Sequence, residues 1–248
     1  MRVLAGTSGF SYDGWIGTFY PEDLPAAGRL AFYASKLPAV EINNTFYRMP
    51  KPELLASWAA QVPKTFRFAL KAPQRITHKL RLVGAEEALG YFLGAAGELG
   101  EALGPLLFQL PPFLRKDLPR LRDFLALLPR GGRIAFEFRH RSWFDGETLT
   151  ALADAGVALC VVDGEDGPTP LVATAPFGYL RLRRPDYDDA ALAGWLEQLG
   201  DQRWDEAFVF FKHEDARGPA HAMRLATLAG DLAGPRAWVE PGASPQPG

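Results

Sequence analysis

The chain has 248 residues, 48% hydrophobic and 23% charged, enough apolar material for one large core. Its net charge of −2 excludes a surface that is cationic all round and leaves room only for a local basic cleft. No apolar stretch approaches the roughly 18 residues of a membrane span, no basic segment followed by a long apolar run opens the chain, and the lone Cys160 sits in an apolar run and excludes an internal disulfide framework. The expectation is a cytoplasmic protein in a reducing compartment.

In chain order, Val3–Ser8 reads as a strand and Ala27–Lys36 as a helix stopped before Pro38. Ala39–Phe46 is a second strand and Pro52–Gln61 a second helix, with Leu54, Leu55, Trp58 and Ala59 on one face. Phe66–Ala72 is a third strand, Ala85–Leu103 a long amphipathic helix, and Pro105–Leu110 a fourth strand. Asp117–Leu128 is a helix with Asp117 as its cap and Pro119 near its start, followed by strand Arg133–Arg139 and helix Gly146–Ala155. Strand Val157–Asp163 leads to Gly164–Phe177, a stretch with three prolines and no helical period. Strand Gly178–Arg183, helix Asp189–Leu199, strand Ala207–His213 and helix Pro219–Leu232 complete the order. Residues 234–248 read as a Pro/Gly-rich, poorly ordered tail.

Eight strand-then-helix units in this length predict an α/β, single-domain TIM-like (β/α)8 barrel over residues 1–233, with the helix between strands six and seven reduced or missing. The rival, an open doubly wound sheet, would carry a glycine fingerprint after its first strand. Here the turn reads GTSGFSYDGW, which matches neither a dinucleotide fingerprint nor a P-loop, so no nicotinamide or flavin site is expected.

Segments GTSGFSYDGWIGTFYP, FYASKLPAVEINNTFYRMP, FRFALKAPQRITHKLRL, LGPLLFQLPP, RIAFEFRHRSWF and FFKHED resemble the YecE-like proteins, domain of unknown function 72, from about residue 3 to residue 230. The resemblance implies a TIM-like barrel and names no reaction. A likeness attached to such barrels is to endonuclease IV, a metal-dependent nuclease. With only His78, His140, His213 and His221, the chain lacks that enzyme's dense set of ligands.

Strand alternation points Glu41, Asn43, Lys71, Gln109, Glu137, Arg139, Asp163 and Arg181 toward the barrel axis near its C-terminal mouth. Burying ions costs on the order of several kcal/mol each before pairing, so such a convergence reads as a site rather than as filling. The catalytic candidates are Glu41, Glu137, Lys71, Arg139 and Asp163: the glutamates for proton transfer, the cations for anion stabilisation. A Schiff-base nucleophile is a second role open to Lys71.

The substrate-binding candidates are Asn43, Tyr47, His78, Gln109, His140, Trp143, Arg181, Arg183, Lys212 and His213. Basic loops interleaved with aromatics suit phosphate and ring recognition, with Trp15 and Trp143 as the aromatics expected to face a ligand. Gly218 and Ala220, opening the last helix beside the loop after strand seven, are the expected phosphate donors. A divalent metal is a weaker reading: Glu41, Glu137, Asp163 and His213 offer ligands, against competition from Lys71 and Arg139.

The sequence thus predicts an enzyme for a phosphate- or carboxylate-bearing substrate, with an anionic small molecule or nucleotide as partner and no membrane contact. A phosphodiesterase or nuclease is the alternative, and a non-catalytic nucleotide or nucleic-acid binding module a second. The reaction, the metal and any protein partner stay open.

Overall fold

Eight parallel strands close on themselves. In the computed structural model, which describes residues 1–165, 167–212 and 217–232, β1 (Arg2–Ser8), β2 (Ala39–Ile42), β3 (Arg67–Lys71), β4 (Leu103–Gln109), β5 (Ile134–Glu137) and β6 (Ala158–Gly164) pair in sequence. A two-residue β7 (Gly167–Pro168) folds back antiparallel on β6, and β8 (Phe177–Leu182) and β9 (Glu206–Phe211) return the sheet to β1. The ring closes through Ala135–Ala158 and Phe136–Leu159 on β5 and β6. The tail over 234–248 and His213 lie outside the described residues.

Helices α1 (Arg29–Lys36), α2 (Asn44–Tyr47), α3 (Pro52–Ala59), α4 (Glu86–Gly97), α5 (Leu118–Ala126), α6 (Gly146–Asp154), α7 (Asp189–Gly200) and α8 (Arg217–Leu232) follow the strands. Three of them start as their sequence dictates. Asp117, Asp145 and Asp188 accept backbone N–H bonds from Arg120, Thr148 and Ala191, three residues into the turn. None of the helices is long and apolar enough to cross a membrane, among the described residues.

Between β6 and β8 no helix forms among the described residues, as the proline content predicts. Backbone groups of β6 are satisfied instead by two threonines of the connecting loop. Thr174 Oγ1 accepts from Leu159 N and donates to the Val157 carbonyl, and Thr169 Oγ1 accepts from Val162 N at 2.9 Å.

Two elements differ from the sequence reading. The long helix expected over residues 85–103 stops at Gly97, and Leu103 already belongs to β4, because Gly97 and the left-handed Gly100 break the helical path. The second strand ends at Ile42, and Asn44–Tyr47 coil into the single turn α2. The Thr45 hydroxyl donates to the carbonyls of Ile42 and Lys71, pulling that turn over the end of β3.

The period-2 alternation divides the barrel interior into floor and ceiling. Ala39, Ala69, Ala135 and Ala158 on β2, β3, β5 and β6 leave room for Phe177, Tyr179, Phe208 and Phe210 on β8 and β9, with Cys160 buried among them. Two residues further along the same strands stand Glu41, Lys71, Glu137 and Arg181. Alternate residues such as Phe108, Phe136, Val161 and Leu180 point outward and pack under the helices.

Candidate functional site: an ionic layer at the barrel mouth

Arg181 crosses the barrel. Its Nη1 donates to Glu137 Oε2 at 2.6 Å and its Nη2 to Glu41 Oε1 at 2.7 Å, tying β8 to β5 and β2. The guanidinium is 2% exposed, and its Nε is buried without a partner. Glu41 also accepts from Ser8 Oγ and from the Tyr179 hydroxyl, each at 2.7 Å. Glu137 accepts from Gln109 Nε2 at 2.6 Å. Asn43 Oδ1 lies 3.5 Å from Arg181 Nη2, and Arg139, half exposed, reaches 3.8 Å from Glu137.

Burial alone would raise the Glu41 carboxyl. The charges of Arg181 and Arg183, with hydrogen bonds from Arg181 and Tyr179, outweigh it and hold the pKa down at about 2. Glu137 is lowered in the same way, burial being overcome by Arg181 and Arg183 and by hydrogen bonds from Arg181 and Gln109. A carboxyl held so low is a weak base near neutrality, so Glu41 is suited to anchoring Arg181 more than to exchanging protons.

Lys71 belongs to the same layer but is bound differently. Its Nζ stands 4.0 Å from the centroid of the Phe46 ring, which α2 holds over the end of β3. Among the described residues no carboxylate comes within 4.0 Å of it. Burial, then the Arg181 charge, lower its pKa to about 8 against the pull of Glu137 and Glu41. His78, on the turn Arg75–Lys79 that follows β3, packs edge-on against the same ring at 4.9 Å between centroids and contacts Thr77 Oγ1 at 2.9 Å. Burial, then Lys71 and Arg139, lower its pKa, which leaves the imidazole neutral near pH 7. Arg183, half-buried, is lowered by burial and by Arg181.

Several expected site residues lie elsewhere. Asp163 faces outward instead of toward the axis, because the inward positions of β6 are Ala158, Cys160 and Val162. Its carboxylate accepts from Arg184 Nε at 2.9 Å, the Tyr187 hydroxyl at 3.0 Å and Trp195 Nε1 at 3.3 Å, fastening α7 to the barrel. Trp15 and Trp143 are core residues, not ligand-facing ones. Trp143 is wholly buried, stacks on Phe138 at 4.8 Å and donates its Nε1 to the Leu114 carbonyl. Trp15 packs among Tyr12, Phe19 and Tyr20. His140 accepts from the Ser142 amide and so caps the turn Arg141–Trp143. Tyr47 is 74% exposed beside Phe46.

Gly218 and Ala220 lie in the first turn of α8, where a recess of about 170 Å³ is walled by Arg184, Lys212, Arg217, Gly218 and His221. Arg184 is engaged by Asp163 there, and a Cβ on Gly218 would run into the Lys212 carbonyl oxygen, so close packing of α8 on β9 accounts for this glycine. The metal reading loses convergence, since Asp163 points away from Glu41 and Glu137 and both glutamates are held by Arg181. Among the described residues no group of three or more His, Cys, Asp or Glu could hold a metal ion. A larger cleft of about 530 Å³ opens beside the ionic layer, lined by Phe10, Tyr12, Asn43, Trp58 and Gln61. Asn43 is common to both.

Sequence reasoning missed three contributors. Ser8 and Tyr179 hold Glu41, and the alternation that selects Arg181 also selects Tyr179 two residues earlier. Thr45, which places Phe46, gives no such signal, because its partners are a local carbonyl and one from another strand.

The fold and this layer define a class: a closed (β/α)8 barrel with a buried, cross-tied ionic layer at the C-terminal ends of its strands. The chain belongs to the family described as protein of unknown function DUF72, whose model matches residues 4–245. It is 35% identical over 137 residues to UPF0759 protein YecE of Escherichia coli, covering 53% of this chain and 50% of that protein, so it spans about half the length of this relative. With UPF0759 protein YunF of Bacillus subtilis it shares 26% identity over 211 residues, 79% of this chain and 74% of that one. A crystal structure of a DUF72 family protein from Thermotoga maritima superposes with a TM-score of 0.81 at 27% identity, covering 92% of this chain and 99% of that one.

Proposed function

We propose that this protein is a cytoplasmic enzyme that binds a phosphate- or carboxylate-bearing small molecule at the C-terminal mouth of its barrel. One observation carries the reading: among the described residues four cationic side chains, Lys71, Arg139, Arg181 and Arg183, meet two carboxylates, Glu41 and Glu137, and both carboxylates are committed to Arg181. A purely structural layer would balance its charge, since an uncompensated buried ion is costly. The excess of cations suits an arriving anion, with Asn43 and Gln109 as orienting amides and the adjoining cleft receiving the rest of the molecule. Burial of Trp15 and Trp143 removes two of the ring faces that single-stranded nucleic acid would stack on, which favours a small molecule.

Thermal-shift profiles and titration calorimetry with phosphorylated sugars, nucleotides, 2-oxo acids and their neutral analogues test the proposal. Selective stabilisation by an anionic compound is expected, weakened about tenfold or more in Arg139→Ala, in line with about 1.5–3 kcal/mol for a charge-assisted hydrogen bond. Equal response to charged and neutral analogues, or an unchanged affinity in Arg139→Ala and Arg183→Ala alike, would overturn it.

A further inference from the structure

The anion reading uses Lys71 only for its charge, which a guanidinium would supply equally well. Glu41 accepts from Ser8, Tyr179 and Arg181, and Glu137 from Gln109 and Arg181. Lys71 carries the one primary amine of this layer, has no carboxylate within ion-pair distance among the described residues, and rests on an aromatic face. Nor is it sealed: 9% of its surface remains exposed at the mouth. An ammonium placed only to balance charge would be expected to pair with one of the two glutamates. Here the guanidinium of Arg181 takes both.

We propose that Lys71 is a nucleophilic amine that condenses with the carbonyl carbon of an anionic aldehyde or ketone to form an imine. The inference rests on the anion site proposed above, because Arg139 and Arg183 would hold the carboxylate or phosphate of that same molecule. Lys71 first gives up a proton, and its Nζ lone pair attacks the carbonyl carbon. A C–N bond forms while the π electrons move to oxygen, which takes up a proton. The resulting hydroxyl then leaves as water after a second protonation, and nitrogen keeps one proton. Ammonium plus carbonyl thus gives protonated imine plus water, with no oxidant or reductant consumed.

Three features of the site suit this sequence. Burial and the neighbouring Arg181 charge bring the amine to about 8, so a usable fraction is unprotonated near neutrality. The neutral His78 imidazole, packed on the same Phe46 ring, is a base available to carry the proton. The protonated imine still presents a cation to Phe46, so the ring contact is retained through the condensation.

The test is reductive trapping on the full chain with cyanoborohydride and two probes, glyoxylate and the neutral propionaldehyde, with the labelled lysines mapped by peptide mass spectrometry. Both aldehydes are expected to label Lys71 at least about tenfold faster than any other lysine, with a rate that rises as pH passes about 8. Glyoxylate should lead propionaldehyde. Lys71→Arg, which keeps the charge, should lose the fast label while retaining its melting temperature within a few degrees. Labelling that follows exposure, with Lys71 among the slowest while glyoxylate still stabilises the protein, overturns the amine and leaves the anion site standing. Fast labelling of Lys71 by both probes without preference for glyoxylate supports the amine and removes the anion site.

Discussion

Replacing Arg181 by methionine isolates the energetics of the ionic layer. The substitution removes the guanidinium that donates to both Glu41 Oε1 and Glu137 Oε2 and leaves two buried carboxylates facing each other's charge. Breaking a buried pair by deleting one partner costs about 3–5 kcal/mol. For a domain of this size each kcal/mol shifts the melting temperature by about 2–4 °C, so a loss of roughly 6–20 °C is expected at pH 8. The pH dependence carries more information than the loss itself. In the wild type Glu41 is held at about 2, below its ordinary 4.5, so its contribution is complete above about 4.5 and fades as pH falls toward 2. In Arg181→Met burial prevails and the two carboxyls rise above their ordinary values. The folded variant then takes up protons before its unfolded chain does, and gains stability relative to wild type as pH falls. Calorimetric melting at pH 8 and pH 5 should show the gap narrowing. Adding Glu41→Gln and Glu137→Gln to Arg181→Met should restore part of the loss, since no buried carboxylate is then left without its guanidinium, while Lys71 and Arg183 lose the attraction of both glutamates. A gap under about 1 kcal/mol, or one equal at the two pH values, would refute the reasoning.

Trp143→Ala should cost about 3–5 kcal/mol, the range for emptying a buried aromatic site, while leaving anion affinity unchanged, because the ring is buried against Phe138 and the Leu114 carbonyl and touches none of the anion-site side chains. Chemical denaturation beside calorimetric titration separates the two effects. Gly218→Ala should destabilise by about 1–3 kcal/mol, the cost of overpacking, since its Cβ meets the rigid Lys212 carbonyl rather than a flexible side chain. Thermal melting of that variant matching wild type within one degree would contradict the packing account of this glycine.

The barrel was legible in the sequence because its causes are local. Side-chain alternation along each strand selects inward and outward faces with a period of two, so Ala39 then Glu41, Ala69 then Lys71, Ala135 then Glu137 and Tyr179 then Arg181 could be grouped without coordinates. Three prolines between β6 and β8 announced a missing helix, and the caps Asp117, Asp145 and Asp188 act within their own turns. Phase was the weak point of the same rule. Asp163 shares a face with Leu159 and Val161, both of which pack outward, and alternation alone does not say which face of a strand meets the axis.

The pairing inside the site belonged to tertiary structure alone. Arg181 bonds residues 140 and 44 positions away, and whether a cation takes one carboxylate or two depends on strand register and shear, which no local pattern encodes. Lys71 lost its carboxylates through that choice and gained Phe46 through a turn drawn in by Thr45. Nor could the sequence separate Trp143, which fills a gap between Phe138 and the Leu114 carbonyl, from an aromatic at the rim. The sequence by itself determined the residue types, the strand faces and hence the closed barrel. Which charges neutralise one another, and which are left over for a ligand, was decided by distances across the barrel.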